Sequence, residues 1–265
     1  MPQGRFEHRN PLKESSEILI AGRCGQIMPL VTKGPDIMTT LVDYLTFAQA
    51  HPTLFTNPPE SGFAVLLDEG EIHAAEQQAE QRLVAMGLPA EWARVGIVFR
   101  DQYLLVLRDA VRFTDETLGT YIRIVKDERT SPGVIVLPVY QKQVLLLRHF
   151  RHATRAWHLE VPRGFGTAGF SSEENAHREL EEEIEASIER IVPLGPVYPD
   201  TGMTAERDEL FYADVSAYGK EEEMEAIAAI MPTPIAEFER MIRENEITDG
   251  FTLAAYARAK LMGLL

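Results

Sequence analysis

Two apolar runs parted by three polar residues dominate the middle of the chain: GVIVLPVY at 133–140 and VLLLR at 144–148, with Gln141, Lys142 and Gln143 between them. Unbroken Val, Ile and Leu leave no polar face for water, so the pair reads as a hairpin with its strands buried. The rest of the chain has to be organised around it. Upstream, short apolar runs at 95–99, 103–107 and 120–125, parted by turn-like residues, also read as strands. Downstream, the pattern predicts an irregular glycine-rich stretch to Gly169, a strong helix over 172–189, a strand over 209–215 and a helix after Asp249.

The first part of the chain has a different texture. Residues 1–37 mix Pro, Gly, Lys and Glu without a sustained period, and loose order is expected there. Leu41, Leu45, Phe47 and Ala48 suggest a short helix over 39–50, stopped at His51 because a residue before proline avoids helical angles. Residues 63–67 fit a strand or a buried turn of helix. Asp68 can then cap a helix that ends before Gly87 and Pro89. The expected division is a small, partly helical N-terminal extension over 1–94 and a main domain over 95–265.

Charge and cysteine content narrow the function. Twenty-six basic against forty-one acidic residues give a net charge of −15, which repels a polynucleotide backbone over most of the surface. A small anionic substrate is still compatible, because a divalent cation can bridge carboxylates to phosphate. The single cysteine, Cys24, excludes an internal disulfide and suits a reducing compartment. No apolar run reaches membrane-spanning length, and Arg5, Glu7, Arg9, Lys13 and Glu14 interrupt the first twenty residues, so a cytoplasmic location with no membrane partner is expected.

The chemistry is concentrated after residue 160. At roughly 100° per residue, the helix from 172 places Ala176, Leu180, Ile184, Ser187 and Ile188 in one sector and Glu174, Glu181 and Glu185 opposite. Glu183 falls about 20° from the axis through Ala176, inside the core-facing sector, with Glu179 one step further round. Glu179, Glu182 and Glu183 stand at i, i+3 and i+4, so their carboxylates can converge beside the helix. Like charges held that close call for a cation, and hard oxygen ligands beside phosphate favour Mg2+ or Mn2+. Arg178 can pair with Glu182 on the next turn. A glutamate-rich helix solvated on most of its surface is the competing reading of the run taken alone.

The loop before the helix decides between them. Residues 164–185 resemble the Nudix box, G-x5-E-x7-R-E-U-x-E-E-x-G-U with U aliphatic: Gly164 fills its first position and Arg178, Glu179, Leu180, Glu182 and Glu183 fill its core at the required spacing. Two positions depart. Phe170 stands where the box has a glutamate that commonly steadies the loop and the box arginine, and Glu185 stands where it has glycine, so the helix is expected to run on toward Arg190.

The resemblance extends from about Val95 to the C-terminus and is closest to the ADP-ribose pyrophosphatase branch. RHFRHATRAW at 148–157 followed by LEVPRG at 159–164 looks like that branch's entry to the box, YPDTG at 198–202 like its YPSPG loop with Thr201 for the second proline, and EITDGFTL at 246–253 like its final helix start. It implies an α/β (α+β) fold, a Nudix α/β/α sandwich with a mixed sheet. It also implies Mg2+ (or Mn2+) held by Glu179, Glu182, Glu183 and the carbonyl of Arg163, and hydrolysis of a nucleoside diphosphate linked to another moiety, of the ADP-ribose or nucleoside diphosphate sugar type. The products would be a nucleoside monophosphate and a sugar phosphate. Arg178 supports the catalytic Glu182 and Glu183, and Glu221, in the acidic loop 220–224, is the candidate base. Substrate contacts would come from Arg151, Trp157 and Glu160 and, across a homodimer, from Arg112 and Arg123; Arg155 and Arg163 are further candidates for phosphate contacts, and Tyr198 for stacking. His149, His152 and His158 lack a metal-ligand spacing and receive no catalytic role. The competing function is a catalytically weakened module that binds or senses a nucleotide metabolite, with Phe170, Glu185 and Thr201 as marks of lost turnover.

Overall fold

The computed structural model describes residues 40–101, 103–125, 131–219 and 226–265. The expected loose order of residues 1–37 and the candidate base Glu221 lie outside these residues. The first helix, α1 (Leu41–Ala50), starts at Thr40, whose hydroxyl accepts the Asp43 N–H while the Asp43 carboxylate accepts the Thr40 N–H, a reciprocal cap. Strand β1 (Phe63–Leu66) follows. Asp68 then accepts the N–H groups of Gly70 and Glu71 to open α2 (Glu69–Ala85).

Strands β2 (Gly96–Arg100), β3 (Leu105–Phe113) and β4 (Leu118–Val125) form an antiparallel sheet in which β3 pairs with β1, β2 and β4. Its core joins Tyr44, Ala48, Phe55, Leu66, Ile72 and Ala75 to Val95, Ile97, Leu105, Leu107, Ala110 and Val125. The sequence-based boundary at residue 95 therefore falls within a module whose helices and first strand precede it and whose other strands follow it. Residues 63–67 resolve as a strand because Phe63 to Leu66 register against Phe113 to Ala110.

The second sheet supplies the expected sandwich. Its order is β11 (Ile227–Pro234), β6 (Gln143–Arg151), β5 (Ser131–Tyr140), β10 (Asp208–Ala217) and β9 (Ser187–Val197), with β7 (Ala156–Glu160) on β6 and β8 (Arg163–Gly166) on β5. The β5/β10 pair is parallel and the other pairs are antiparallel, so the sheet is mixed. Gln141 and Lys142 both take positive φ (47° and 63°) at the tip of the β5–β6 hairpin. Helix α3 (Ser172–Ile184) covers one face through Ala176, Leu180 and Ile184. Helices α4 (Ile235–Arg243) and α5 (Gly250–Leu261) cover the other through Phe238, Met241, Ala255 and Ala259. Leu145, Leu146 and Leu147 are all fully buried, consecutive residues pointing to opposite covered faces. Truncating any one to Ala removes about 2–5 kcal/mol.

Three segments differ from the sequence reading. The stretch read as irregular contains β7 and β8, short strands on either side of Pro162. The helix expected to reach 189 stops at Ile184, because Glu185 adopts the left-handed conformation (φ 47°, ψ 39°) and residues 187–197 pair with β10 as β9. Sheet pairing there outweighs helix propensity. Strand β11 and helix α4 were not read at all; Pro232 and Pro234 disguise a strand that tolerates proline because it lies at the sheet edge.

Candidate active site

The sheet opens where the candidate residues lie. Strand β5 pairs with β6 only at Val139 and Tyr140, beside the turn, and pairs instead with β8 over Ser131 to Ile135. Residues 160–163 cross this opening from β7 to β8, and α3 runs alongside. Ser171 caps α3, its hydroxyl accepting the Glu174 N–H and its own N–H donating to the Glu174 carboxylate at 2.7 Å.

Two glutamates of α3 turn toward the crossing segment. The Arg163 N–H donates to Glu183 Oε2 at 3.2 Å. Glu179 lies so close over Gly164 that any Cβ added there would collide with its carboxylate, which is the physical reason for glycine at this position. Burial and the charge of Glu179 push the Glu183 carboxyl up to about 8, against the opposing pull of the Arg163 N–H and Arg151. Glu182 is exposed and instead meets Arg178 at 3.2 Å. Among the described residues no group of three acidic, histidine or cysteine side chains is gathered closely enough to hold an ion.

The facing wall is built on one buried carboxylate. Glu160 is 1% exposed and is met by Arg151, by His149 Nδ1 at 3.1 Å and by Arg163 at 3.4 Å. Arg163 also lies 3.6 Å from Asp249 and 5.0 Å over the Phe251 ring. Asp249 caps α5 by accepting the Thr252 N–H and hydroxyl, and Thr252 Oγ1 in turn accepts the Val161 N–H at 3.0 Å. The start of α5 thus pins the crossing segment from behind. The Nε atoms of Arg151 and Arg163 are buried without a hydrogen-bond partner among the described residues. The charge of Arg151 also reaches Glu183 on α3.

A glycine-led loop, a helix with an R-E-L-x-E-E core and a mixed sheet covered on both faces converge with the family comparison: residues 129–255 match the NUDIX domain model. These residues form a Nudix domain. A solved structure described as an ADP compounds hydrolase is similar to this chain with a TM-score of 0.55 at 20% identity, over 64% of this chain and 93% of that one. At that identity the likeness concerns the fold. No curated protein matches the chain.

The Nudix domain brings Glu160, Arg163, Glu179 and Glu183 together, with Arg151 joined to Glu160 and Arg178 to Glu182. Other expected residues sit elsewhere. Trp157 is 45% exposed and alternates to the opposite face of β7 from Glu160, where Arg148 lies 4.5 Å over its ring and Phe150 packs edge-on. Arg155 stands over Phe150 and contacts His152. Tyr198 is exposed on the loop that leads to β10. Arg112 pairs with Glu71, and Arg123 is held by buried Asp109 at 2.5 Å and lies 4.9 Å over Phe55. Both of these arginines are spent on carboxylates of the N-terminal module.

Three supporting residues escaped the sequence reading. Thr252 is described above, and Asp208 is buried and accepts the Gly133 N–H at 3.0 Å, fixing the start of β5. Asn175, buried in α3, holds the loop at Thr167. Nothing local marks Asn175 or Asp208: rotation puts Asn175 outside the apolar sector of the helix, beside Glu182, and Asp208 acts on a residue far away in sequence.

Proposed function

We propose that the Nudix domain hydrolyses a nucleoside diphosphate linked to another moiety, of the ADP-ribose or nucleoside diphosphate sugar type, to a nucleoside monophosphate and a sugar phosphate, with Mg2+ as cofactor and Mn2+ as a substitute. The observation that carries this reading is the pair of buried, unsatisfied guanidinium donors of Arg151 and Arg163 opposite the Glu179/Glu183 pair. A diphosphate would supply acceptors for those donors, and a divalent cation would offset the repulsion between two crowded carboxylates. The similar structure's description as an ADP compounds hydrolase supports the substrate class.

The donor set fits such an ion. Glu179 and Glu183 are hard oxygen ligands, burial and the neighbouring Glu179 raise the Glu183 carboxyl to about 8, and the backbone N–H of Arg163 lies against Glu183. Glu182, held by Arg178 through Oε1, would join through its other carboxylate oxygen. When bound, the cation neutralises phosphoryl oxygens and acidifies water.

The protein's own groups do the rest. Arg151 and Arg163 orient the diphosphate, Glu160 fixes both guanidinium planes, and Asp249 and Thr252 hold the segment that carries them. The proton acceptor is proposed to be Glu221 or a neighbouring carboxylate of residues 220–224. Arg112 and Arg123 are left out of the substrate contacts because their partners lie within their own module. A homodimer is proposed on the family resemblance alone, and light scattering at micromolar concentration tests it.

The activity test is phosphate release, after phosphatase coupling, from a panel of nucleoside diphosphate compounds with and without Mg2+. Hydrolysis of at least one nucleoside diphosphate-linked compound that stops on chelation is expected. A protein that binds ADP-ribose yet hydrolyses nothing with either Mg2+ or Mn2+ would replace the enzyme by the sensor.

A further inference from the structure

The loop between β8 and α3 lacks the box glutamate, yet three side-chain hydrogen bonds tie it down at Thr167. The buried Asn175 amide clamps a single residue of the loop from both sides: its Oδ1 accepts the Thr167 N–H at 3.0 Å and its Nδ2 donates to the Thr167 carbonyl at 3.4 Å. Ser131 Oγ donates to the same carbonyl at 3.1 Å. The turn then closes through the Phe170 N–H to Thr167 O at 3.4 Å, with Gly169 at φ +90°. Asn175 is only 3% exposed, and burying an amide inside a helix is unfavourable unless its polar atoms are used as they are here.

Phe170 completes the arrangement. The Arg178 guanidinium stands 5.0 Å over its ring, while an edge nitrogen of the same guanidinium reaches Glu182. A carboxylate at 170 would compete with Glu182 for the N–H edge of Arg178. An aromatic ring takes the face and leaves the edge to Glu182. One absent side chain would have had two roles, and the structure divides them between two residues.

We propose that Asn175 and Phe170 together replace the missing box glutamate, Asn175 as anchor of the loop and Phe170 as the positioning residue for Arg178 and, through it, Glu182. The inference rests on α3 being the catalytic helix of a hydrolase. It makes Phe170 a working substitution and not a mark of a retired site.

The test combines amide hydrogen exchange of the 163–171 segment, measured without metal, with kinetics of Phe170→Leu, Phe170→Trp, Phe170→Glu, Asn175→Ala and Asn175→Asp. Asn175→Ala should speed exchange at Thr167 by about fivefold or more. Asn175→Asp, which keeps the acceptor and loses the donor, should fall between it and the parent. Phe170→Leu should lower kcat by about two- to fivefold with KM unchanged, and Phe170→Trp should restore it. Phe170→Glu, whose carboxylate competes with Glu182 for the N–H edge of Arg178, should lower kcat while Phe170→Trp does not. Equal exchange and equal kcat for Phe170→Leu, Asn175→Ala and the parent would overturn the proposal. If the parent hydrolyses nothing, the functional reading fails, and exchange still decides whether Asn175 and Phe170 hold the loop.

Discussion

Two carboxylates, buried Asp109 in the N-terminal module and half-buried Glu183 in the Nudix domain, are treated in opposite ways. In the N-terminal module Asp109 is 2% exposed and fully answered: the Tyr44 hydroxyl donates to it at 2.6 Å and Arg123 Nε at 2.5 Å, with the arginine itself packed over Phe55. That charge is balanced on the spot, and the phenol of Tyr44 is pushed far up by its burial and by the adjacent carboxylate. In the Nudix domain Glu183 is crowded by Glu179 and receives one backbone donor, so its carboxyl rises to about 8. Nearby, Arg151 and Arg163 keep buried donors without acceptors. A balanced buried charge serves the fold; an unbalanced pair of opposite walls is what a charged ligand and its cation would complete.

The contrast is broken most directly by removing each carboxylate. Glu183→Gln should lower hydrolysis by about two orders of magnitude or more while leaving the metal-free protein at least as stable as the parent, because a neutral amide ends the repulsion with Glu179. Asp109→Ala should do the reverse. It strands Arg123 and Tyr44 and should cost about 2–3 kcal/mol in denaturant unfolding, discounted because Arg123 keeps some solvent, with kcat per folded molecule unchanged. Loss of activity without loss of stability at Asp109 would mean the two halves are not separable in this way.

Acidity sharpens the same comparison. The folded-state pKa of Glu183, about 8, lies above its ordinary 4.5, so the folded protein retains a proton that the unfolded chain releases. This contribution is complete below pH 4.5, declines as pH rises and is gone above about 8. Thermal unfolding of metal-free protein should therefore show a stability loss on the order of a few kcal/mol across that window, and Glu183→Gln should flatten it. An unchanged slope in the variant would assign the titration to another group.

The smallest effect is expected at Glu185. A left-handed non-glycine residue costs about 1–2 kcal/mol, and glycine's greater freedom in the unfolded chain returns part of it, so Glu185→Gly should gain about 0.5–1 kcal/mol. Glu185 packs directly against Gly219, whose N–H donates to the Ile184 carbonyl at 2.9 Å. A destabilised Glu185→Gly would show that this contact, and not strain, dominates.

Much of this was legible in the chain. The buried hairpin, the cap at Asp249, the helix start at Ser171 and the core-facing placement of Glu183 follow from period, capping chemistry and rotation about a helix axis. Glu160, Arg163 and Glu179 could be named because a motif fixes their spacing. The missed features depend on distant partners: Glu185 ends its helix because β9 is needed beside β10, and Asp208 matters only because Gly133 lies next to it, 75 residues earlier in sequence. Arg123 was a candidate by resemblance alone, and the pattern of the chain gives no sign of its ion pair with buried Asp109, which only the fold brings together.

The central claim, that the Glu179/Glu183 pair is a divalent cation site, is tested most directly by calorimetric titration of Mg2+ and Mn2+ into the substrate-free protein and into Glu183→Gln, in buffers of different ionisation enthalpy near pH 7. The parent should bind with release of protons, since Glu183 must ionise to bind the cation, and Glu183→Gln should bind far more weakly and without that release. Equal affinity in the two proteins, or no binding by the parent even with substrate analogue present, would contradict the account.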